Sequence, residues 1–247
     1  MDKIAIISDI HGNMQALEAV LADIEQAGIT HIYCLGDLVG KGPDGHLAVD
    51  RCREVCDVIV RGNWDDFIGR DGHDQEGTIW WKAQLGEERL AYLKNLPGTH
   101  DFWLSGKRVR LYHASHISVY HRIHAYKPFE VYQTMFQNTE FTGYDVSEPD
   151  IVGYGDIHAA YMTYVDTGKI LFNAGSAGNP LDAPVPVYTV LKGVLNSEEA
   201  AAFTIEFVRV PYDAEAAIQR AKDVNMPETD AYAKELRTGI YRGRAAE

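Results

Sequence analysis

The first sixty residues alternate between short apolar runs and longer segments of helical period, and this pattern constrains the fold more than any other feature of the chain. Residues 3–8 are almost continuously apolar, as in a strand covered on both faces. Leu17, Val20, Leu21 and Ile24 then recur at helical spacing, and Gly28 stands where a helix commonly ends. The pattern repeats. His31-Ile32-Tyr33-Cys34-Leu35 reads as a strand, a loop passes through Gly36, Gly40 and Gly42, residues 45–56 read as a helix, and residues 57–61 as a third strand. Such alternation predicts βαβ units around a parallel sheet, whose ligand sites lie beyond the carboxyl ends of the strands.

Further along, Trp81, Leu85, Leu90, Leu93 and Leu96 predict one or two helices closed by Pro97-Gly98, a helical insertion over about residues 75–97. Residues 102–104 and 109–112 read as a hairpin with Gly106 at its turn. Residues 114–148 have no clean period before a helix-like stretch near 128–137. They mix His116, His121, Arg122, His124 and Lys127 with tyrosines and Phe129, the composition of a lid or substrate loop. Strands are expected at 151–155, 161–165, 169–173, 187–191 and 203–207. Because these arrive as hairpins, they predict a second, antiparallel or mixed sheet. Helices are expected at 214–221 and 228–237. No linker, repeat or low-complexity segment divides the chain, so residues 1–247 read as one domain.

A net charge of −13 opposes binding to a phosphate backbone, so nucleic acid is not an expected partner. It allows a small phosphorylated substrate, because bound cations supply strong local positive charge. Cys34 falls in a strand, and Cys52 and Cys56 on one helix face; an odd count without a disulfide pattern fits a reducing compartment. The N-terminal apolar stretch is broken by Asp9, too early for a signal peptide or a membrane span. The reading is a soluble cytoplasmic protein with no membrane partner, its oligomeric state open.

The apolar runs are punctuated by Asp9-Ile10-His11, Gly36-Asp37, Gly62-Asn63, His113 and Asp156-Ile157-His158. Five pieces of chain can therefore deliver oxygen and imidazole ligands to one sheet edge. Asp9 and His11, alternating along an extended segment, would face one ion while Ile10 enters the core. Asp37 can bridge two cations through its two oxygens, Asn63 can bind through its amide oxygen and His113 through a ring nitrogen, and Asp156 and His158 repeat the first pair's alternation. This divides into Asp9, His11, Asp37 and His158 around one ion, and Asp37, Asn63, His113 and Asp156 around a second. Two cations about 3.5–4 Å apart lower the pKa of a bridging water and clamp the oxygens of an in-line displacement. Local alternatives exist: Asp9 as a helix cap, Asp37 as a turn residue, Asn63 as the tie of a tight loop. They do not account for all these groups gathering at strand ends.

In order and content the motifs Asp9-Ile10-His11-Gly12-Asn13, Gly36-Asp37-Leu38-Val39, Gly62-Asn63-Trp64-Asp65, His113, Gly155-Asp156-Ile157-His158 and Asn173-Ala174-Gly175-Ser176 resemble the calcineurin-like metallophosphoesterase family. The resemblance runs from residue 4 to about residue 191, and the tail Val210-Pro211-Tyr212-Asp213 is similar to a small bacterial branch. It implies an α/β sandwich of two mixed sheets flanked by helices, a dinuclear centre with the ligands assigned above, and catalytic roles for Asp37, Asn63 and His113. Substrate contacts are expected from Asn13, Trp64, His116, His121 and Arg122. Two departures stand out. Many members have His where this chain has Trp64, and a general acid contributes about 10²- to 10⁴-fold. Either His116, His121 or His124 replaces it, or the leaving group needs little help, as in phosphoanhydrides and aryl esters. Asp156 stands where His is frequent, and a carboxylate moves the expected metals toward Mn or Fe, with Zn less favoured.

Arg61-Gly62-Asn63-Trp64-Asp65 together with Asp156-Ile157-His158 resembles a subgroup that includes hydrolases of dinucleoside polyphosphates. The expected activity is hydrolysis of a small phosphodiester or nucleotide phosphoanhydride. A phosphomonoesterase and a catalytically weak metal-binding scaffold are the alternatives. Trp64, Trp80, Trp81 and the tyrosines at 120–132 offer stacking surfaces, although Trp80 and Trp81 read first as helix packing. Residues 175–178 read as a turn buttressing the site, and Lys41 as an exposed loop lysine.

Overall fold

Alternation along the first strand splits its side chains between two cores. In β1 (Asp2–Ile7), Ile4 and Ile6 face one cluster while Ala5 and Ile7 face another, and all four are fully buried. The computed structural model describes residues 1–70 and 75–243. β1 pairs in parallel with β2 (His31–Cys34), and β2 with β3 (Val58–Ile59); α1 (Met14–Gln26) and α2 (Gly45–Val55) make the crossovers. β3 is shorter than its apolar run because the Arg61 amide turns away to the Pro97 carbonyl.

After α3 (Asn63–Phe67), α4 (Glu76–Lys94) spans the expected insertion and is kinked at Gly86, where φ is +67°. β4 (Thr99–Leu104) and β5 (Lys107–Tyr112) form the hairpin; Ser105 and Gly106 have φ of +52° and +78°, the double positive φ of a two-residue turn. α5 (Phe129–Thr134) precedes β6 (Ile151–Tyr154), β7 (Tyr161–Asp166) and β8 (Lys169–Asn173). These strands form a mixed sheet in the order β4-β5-β6-β8-β7.

β9 (Val187–Gly193) and β10 (Thr204–Arg209) do not join this second sheet, as the hairpin reading implied. They return to the first, giving β10-β9-β1-β2-β3 with β9 antiparallel to β1. The reason is burial: Val187 through Leu191 are covered on both faces, and only the flank of the central strand β1 offers that cover. α6 (Ala214–Asp223) and α7 (Thr229–Thr238) close the described chain, and α6 packs on α1. The two sheets sandwich a core containing Ile6, Leu35, Leu111, Ile151 and Phe172, while helices cover the outer face of the first sheet. Both sheets thus bring the carboxyl ends of their parallel strands to one edge.

That edge is built without slack. A Cβ on Gly178 would lie 1.8 Å from the Ile10 carbonyl oxygen, and the Gly178 amide donates to the Asp9 carbonyl at 3.1 Å. Gly178→Ala must separate the two loops, and a loss of about 3 kcal/mol is expected in denaturant unfolding. A loss below about 1 kcal/mol would show that the loops part easily.

Candidate metal centre

Every strand feeding this edge ends before its polar residue. Asp9 and His11 therefore do not alternate along an extended segment: β1 stops at Ile7, and both residues are left-handed, with φ of +54° and +49°. Asp37, Lys41, Asp156 and His158 share that conformation at φ of +56°, +61°, +65° and +56°. Each such residue costs roughly 1–3 kcal/mol, and such strain concentrates where surroundings over-determine the backbone. Here the surroundings are a loop-to-loop ladder: the amides of Asp9, His11 and Gly12 donate to the carbonyls of Gly36, Asp37 and Leu38 at 3.0, 2.9 and 2.9 Å.

Asp65 holds the next loop. Fully enclosed, it accepts from the amides of Asp37 (2.7 Å), Leu38 (2.9 Å) and Gly62 (2.9 Å), locking the Asp37 turn to the Asn63 turn. Burial, reinforced by the Asp37 charge, pushes its carboxyl up to about 6. On the far side, Asn173 donates to the Gly155 carbonyl and accepts from the Gly175 amide, and Ser176 Oγ donates to the Asp9 carbonyl at 2.7 Å.

Three imidazoles are oriented in the same way. His11, His113 and His158 each direct Nδ1 at a backbone carbonyl, of Val39 (2.9 Å), Leu35 (2.7 Å) and Asn179 (2.5 Å). A carbonyl only accepts, so each Nδ1 carries a proton, and in the neutral imidazoles His11 and His158 the Nε2 lone pair points into the centre; against its burial, the Asp37 carboxylate holds His113 well above the usual imidazole value. His11 Nε2 and His158 Nε2 then face each other at 3.2 Å, two acceptors that share no proton between them, an arrangement that a bound cation would satisfy. Asp37 aims Oδ2 at His11 Nε2 (3.5 Å) and Oδ1 at His113 Nε2 (3.4 Å). Asn63 Oδ1 lies 3.0 Å from His113 Nε2, Asp9 Oδ1 3.3 Å from His158 Nε2, and Asp156 Oδ1 3.9 Å from His113 Nε2.

The centre fits cations by its chemistry. Asp9 Oδ1 is buried with no hydrogen-bond partner, and burial together with Asp37 and Asp156 pushes this carboxyl up to about 7 against the opposing His113. Burial and the Lys41 charge hold His11 and His158 well below the usual imidazole value, so both are neutral, the form in which an imidazole can bind a cation. Two groups of ligand atoms, Asp9-His11-His158 and Asp9-Asp37-His113, each lie within 4.8 Å of one another and could each hold an ion.

A cavity of about 260 Å³ opens onto this cluster, lined by Asp37, Trp64, Arg122, Asp156 and His158 among others. Trp64 forms a fixed wall: its ring lies on Gly40, where a Cβ would come within 2.2 Å, and is edge-on to Trp81 at 5.5 Å and to His11 at 6.0 Å. Trp81 is itself buried, with Nε1 donating to the Gly42 carbonyl, and it does not line the cavity. Arg122 reaches in from the 114–148 segment and grips Asp156 through two bonds of 2.8 and 2.7 Å.

Other expected contacts are elsewhere. Asn13 is fully buried and caps α1, accepting from the Ala16 amide and donating to the Gly178 carbonyl, so its amide is spent on structure. His116 is buried rather than solvated, outside the cavity lining, and pushed to about 4, first by burial. His121 lines a separate groove with Lys127 and Glu130. Of the three histidines of that segment, His124 is the one in the cavity wall.

Lys41 corrects the reading of an exposed loop lysine. It is buried, with Nζ 3.3 Å from His158 Nε2 and 3.2 Å from Asn179 Oδ1, and burial lowers it to about 8 against the opposing charge of Glu235. Asn179 joins this group to α7, donating to the buried Glu235 at 3.2 Å. The sequence alone assigns no role to Asp65, Asn179, Glu235 or Tyr241, the last of which also lines the cavity.

The calcineurin-like phosphoesterase superfamily domain matches residues 2–194. The chain is 30% identical over 244 residues to the uncharacterized protein MJ0912 of Methanocaldococcus jannaschii, covering 91% of this chain and 94% of that one. It is 28% identical over 134 residues to phosphodiesterase YfcE of Escherichia coli, covering 50% and 70%. The crystal structure of a metallophosphoesterase from Sphaerobacter thermophilus superposes with a TM-score of 0.74 at 25% identity, over 97% of this chain and 99% of that one. The chain belongs to the calcineurin-like phosphoesterase superfamily, with that family's two-sheet fold. It is a metal-binding hydrolase acting on phosphate esters. Among the described residues no helix is long and apolar enough to cross a membrane.

Proposed function

We propose that this protein hydrolyses a small phosphodiester or a nucleotide phosphoanhydride, with Asp9, His11, Asp37 and His158 holding one metal ion and Asp37, Asn63, His113 and Asp156 a second. The observation that supports this most is Asp37, which turns one carboxylate oxygen to each half of the centre, 3.5 Å from His11 and 3.4 Å from His113. Two ions held by these residues would lower the pKa of a water and neutralise charge at phosphorus. Mn or Fe suits a set in which Asp156 adds a further carboxylate.

The remaining work falls to side chains of the cavity. Lys41 and Arg122 supply fixed positive charge on its rim for the non-reacting phosphate oxygens. Trp64 excludes water from one wall but offers no acid, and His116 is neutral at pH 7, so among the described histidines outside the proposed metal ligands, His124 in the cavity wall is the one placed to protonate a leaving group. A site with Trp64 where many members carry an acid works best on leaving groups that depart unprotonated, which favours anhydrides, including dinucleoside polyphosphates, and aryl esters over alkyl monoesters. The cavity of about 260 Å³ suits a phosphoryl group with one neighbouring group. In this reading the 114–148 segment acts as the lid that carries Arg122, and residues 1–247 work as one domain. Three free thiols fit a reducing cytoplasm.

The test is a panel of bis(p-nitrophenyl) phosphate, p-nitrophenyl phosphate and diadenosine tetraphosphate with Mn²⁺. Turnover of the diester or anhydride should exceed that of the monoester, vanish with EDTA and return with metal. No turnover with any metal would contradict the proposal and favour a metal-binding scaffold. Lys41→Ala should raise KM at least about tenfold, the worth of one charged hydrogen bond, with a smaller change in kcat. An unchanged KM would remove Lys41 from the substrate site.

A further inference from the structure

The cavity has a wall that the family match does not supply. The match ends at residue 194, yet Tyr241, beyond α7, lines the cavity together with Trp64, Ile157 and Leu181. Its placement is built rather than incidental. Gly239 ends α7 in the left-handed conformation at φ of +66°, its amide donating to the Glu235 carbonyl, and this turns the chain back. Arg242 then anchors the returning segment: its amide, Nε and Nη2 donate to the Glu235 carboxylate at 2.8, 3.0 and 2.8 Å, and Nη1 donates to Glu228 at 2.6 Å. The Tyr241 ring rests on Gly243, where a Cβ would approach to 2.6 Å, and the side of the residue that stays exposed amounts to 47%.

Lys41 ties this ring to the centre. Its Nζ stands 3.3 Å from His158 Nε2 and 6.0 Å from the Tyr241 ring centroid. A phosphate held at Lys41 therefore has a half-exposed aromatic ring one short linker away, in a cavity that the apolar Ile157 and Leu181 also line. Holding the ring in place before binding spares the ordering cost that a mobile side chain would carry.

We infer that residues 239–243 form a subsite for a planar ring carried close to the substrate phosphate, as a nucleobase is in a nucleotide, with Tyr241 as its stacking platform. This rests on the phosphoester reading of the centre and adds to it the class of group recognised beside the phosphate. Arg242 and Glu235 are positioning residues, and Tyr241 sets specificity.

The test is equilibrium binding to the Mn²⁺-loaded protein by isothermal titration calorimetry, comparing adenosine 5′-monophosphate with ribose 5-phosphate. The wild type should prefer the nucleotide. Tyr241→Ala should weaken nucleotide binding about tenfold, within the range measured for base stacking on aromatic rings, and leave ribose 5-phosphate unchanged. Tyr241→Phe should bind as the wild type does, because stacking needs the ring and not the hydroxyl. A wild type without preference, a Tyr241→Ala protein that keeps full nucleotide affinity, or one that loses both ligands equally would overturn the inference. Binding needs no turnover, so a protein that selects the nucleotide through Tyr241 but hydrolyses nothing would fail the hydrolytic reading alone.

Discussion

Asp37→Asn is expected to reduce kcat/KM on any phosphodiester or anhydride substrate by at least about a thousandfold, beyond the 10- to 100-fold typical of residues that merely orient ligands. The substitution keeps the shape of the side chain and removes what the site uses. Oδ1 of Asp37 accepts from the Trp64 amide at 2.8 Å and faces His113, while Oδ2 faces His11. An amide can satisfy the Trp64 N–H with its oxygen, but its NH₂ then points at the His11 lone pair, where a ligand oxygen stood. One half of the centre loses its shared carboxylate, and the other keeps a weaker donor. The turn itself should survive, because Asp65 still accepts from the Asp37 and Leu38 amides. The expected combination is therefore a folded protein with near-normal unfolding temperature, reduced metal content and almost no activity. Wild-type turnover in this variant would sink the assignment of Asp37 as a bridge.

Asp65→Ala should instead act on stability. Three buried amides, of Asp37, Leu38 and Gly62, lose their acceptor together. Each orphaned donor costs about 1–3 kcal/mol, and relief of the repulsion between Asp65 and Asp37 returns part of it, so a net loss of about 3–5 kcal/mol is expected. For a chain of this length that corresponds to a fall of roughly 6–20 °C in Tm. Activity should fall as well, because both the Asp37 and the Asn63 turns are tied through this one carboxylate. Asp65→Asn, which keeps one acceptor oxygen, should lose less. Thermal unfolding of the metal-free proteins decides it, and a drop of less than about 2 °C for the alanine variant would show that water or a shifted loop replaces the carboxylate.

What the sequence made legible and what it hid divide along physical lines. The period of the apolar runs announced β1, β2 and their crossover helices, because burial on both faces leaves a continuous signal. The same logic misplaced β9 and β10: their hairpin is visible, but which sheet edge receives it depends on the cover that β1 can offer. The candidate ligands are legible by residue type and order, whereas their geometry is not. Asp9, His11, Asp156 and His158 lie on left-handed turns, and nothing in their side chains marks such a backbone. Lys41 looked solvated because it lies between Gly40 and Gly42. Those glycines are there for close approach: a Cβ on Gly42 would come 2.3 Å from the His11 carbonyl oxygen. Asn13 and His116 read as contacts from their motif neighbourhood; the structure buries both, Asn13 as the cap of α1 and His116 outside the cavity lining. Glu235 and Tyr241 carry no signal, since what ties them to the site, Asn179 and Lys41, lies far away in the chain and an amphipathic helix rich in charge reads as solvated.

The central claim is that Asp37 stands between two metal ions held by the residues of this one sheet edge. Crystals soaked in Mn²⁺ and measured by anomalous diffraction at the manganese edge address it most directly. Two peaks about 3.5–4 Å apart are expected. One should lie among Asp9, His11 and His158, the other among Asn63, His113 and Asp156, with an Asp37 oxygen reaching each. A single peak, or two peaks that Asp37 does not join, would contradict the account.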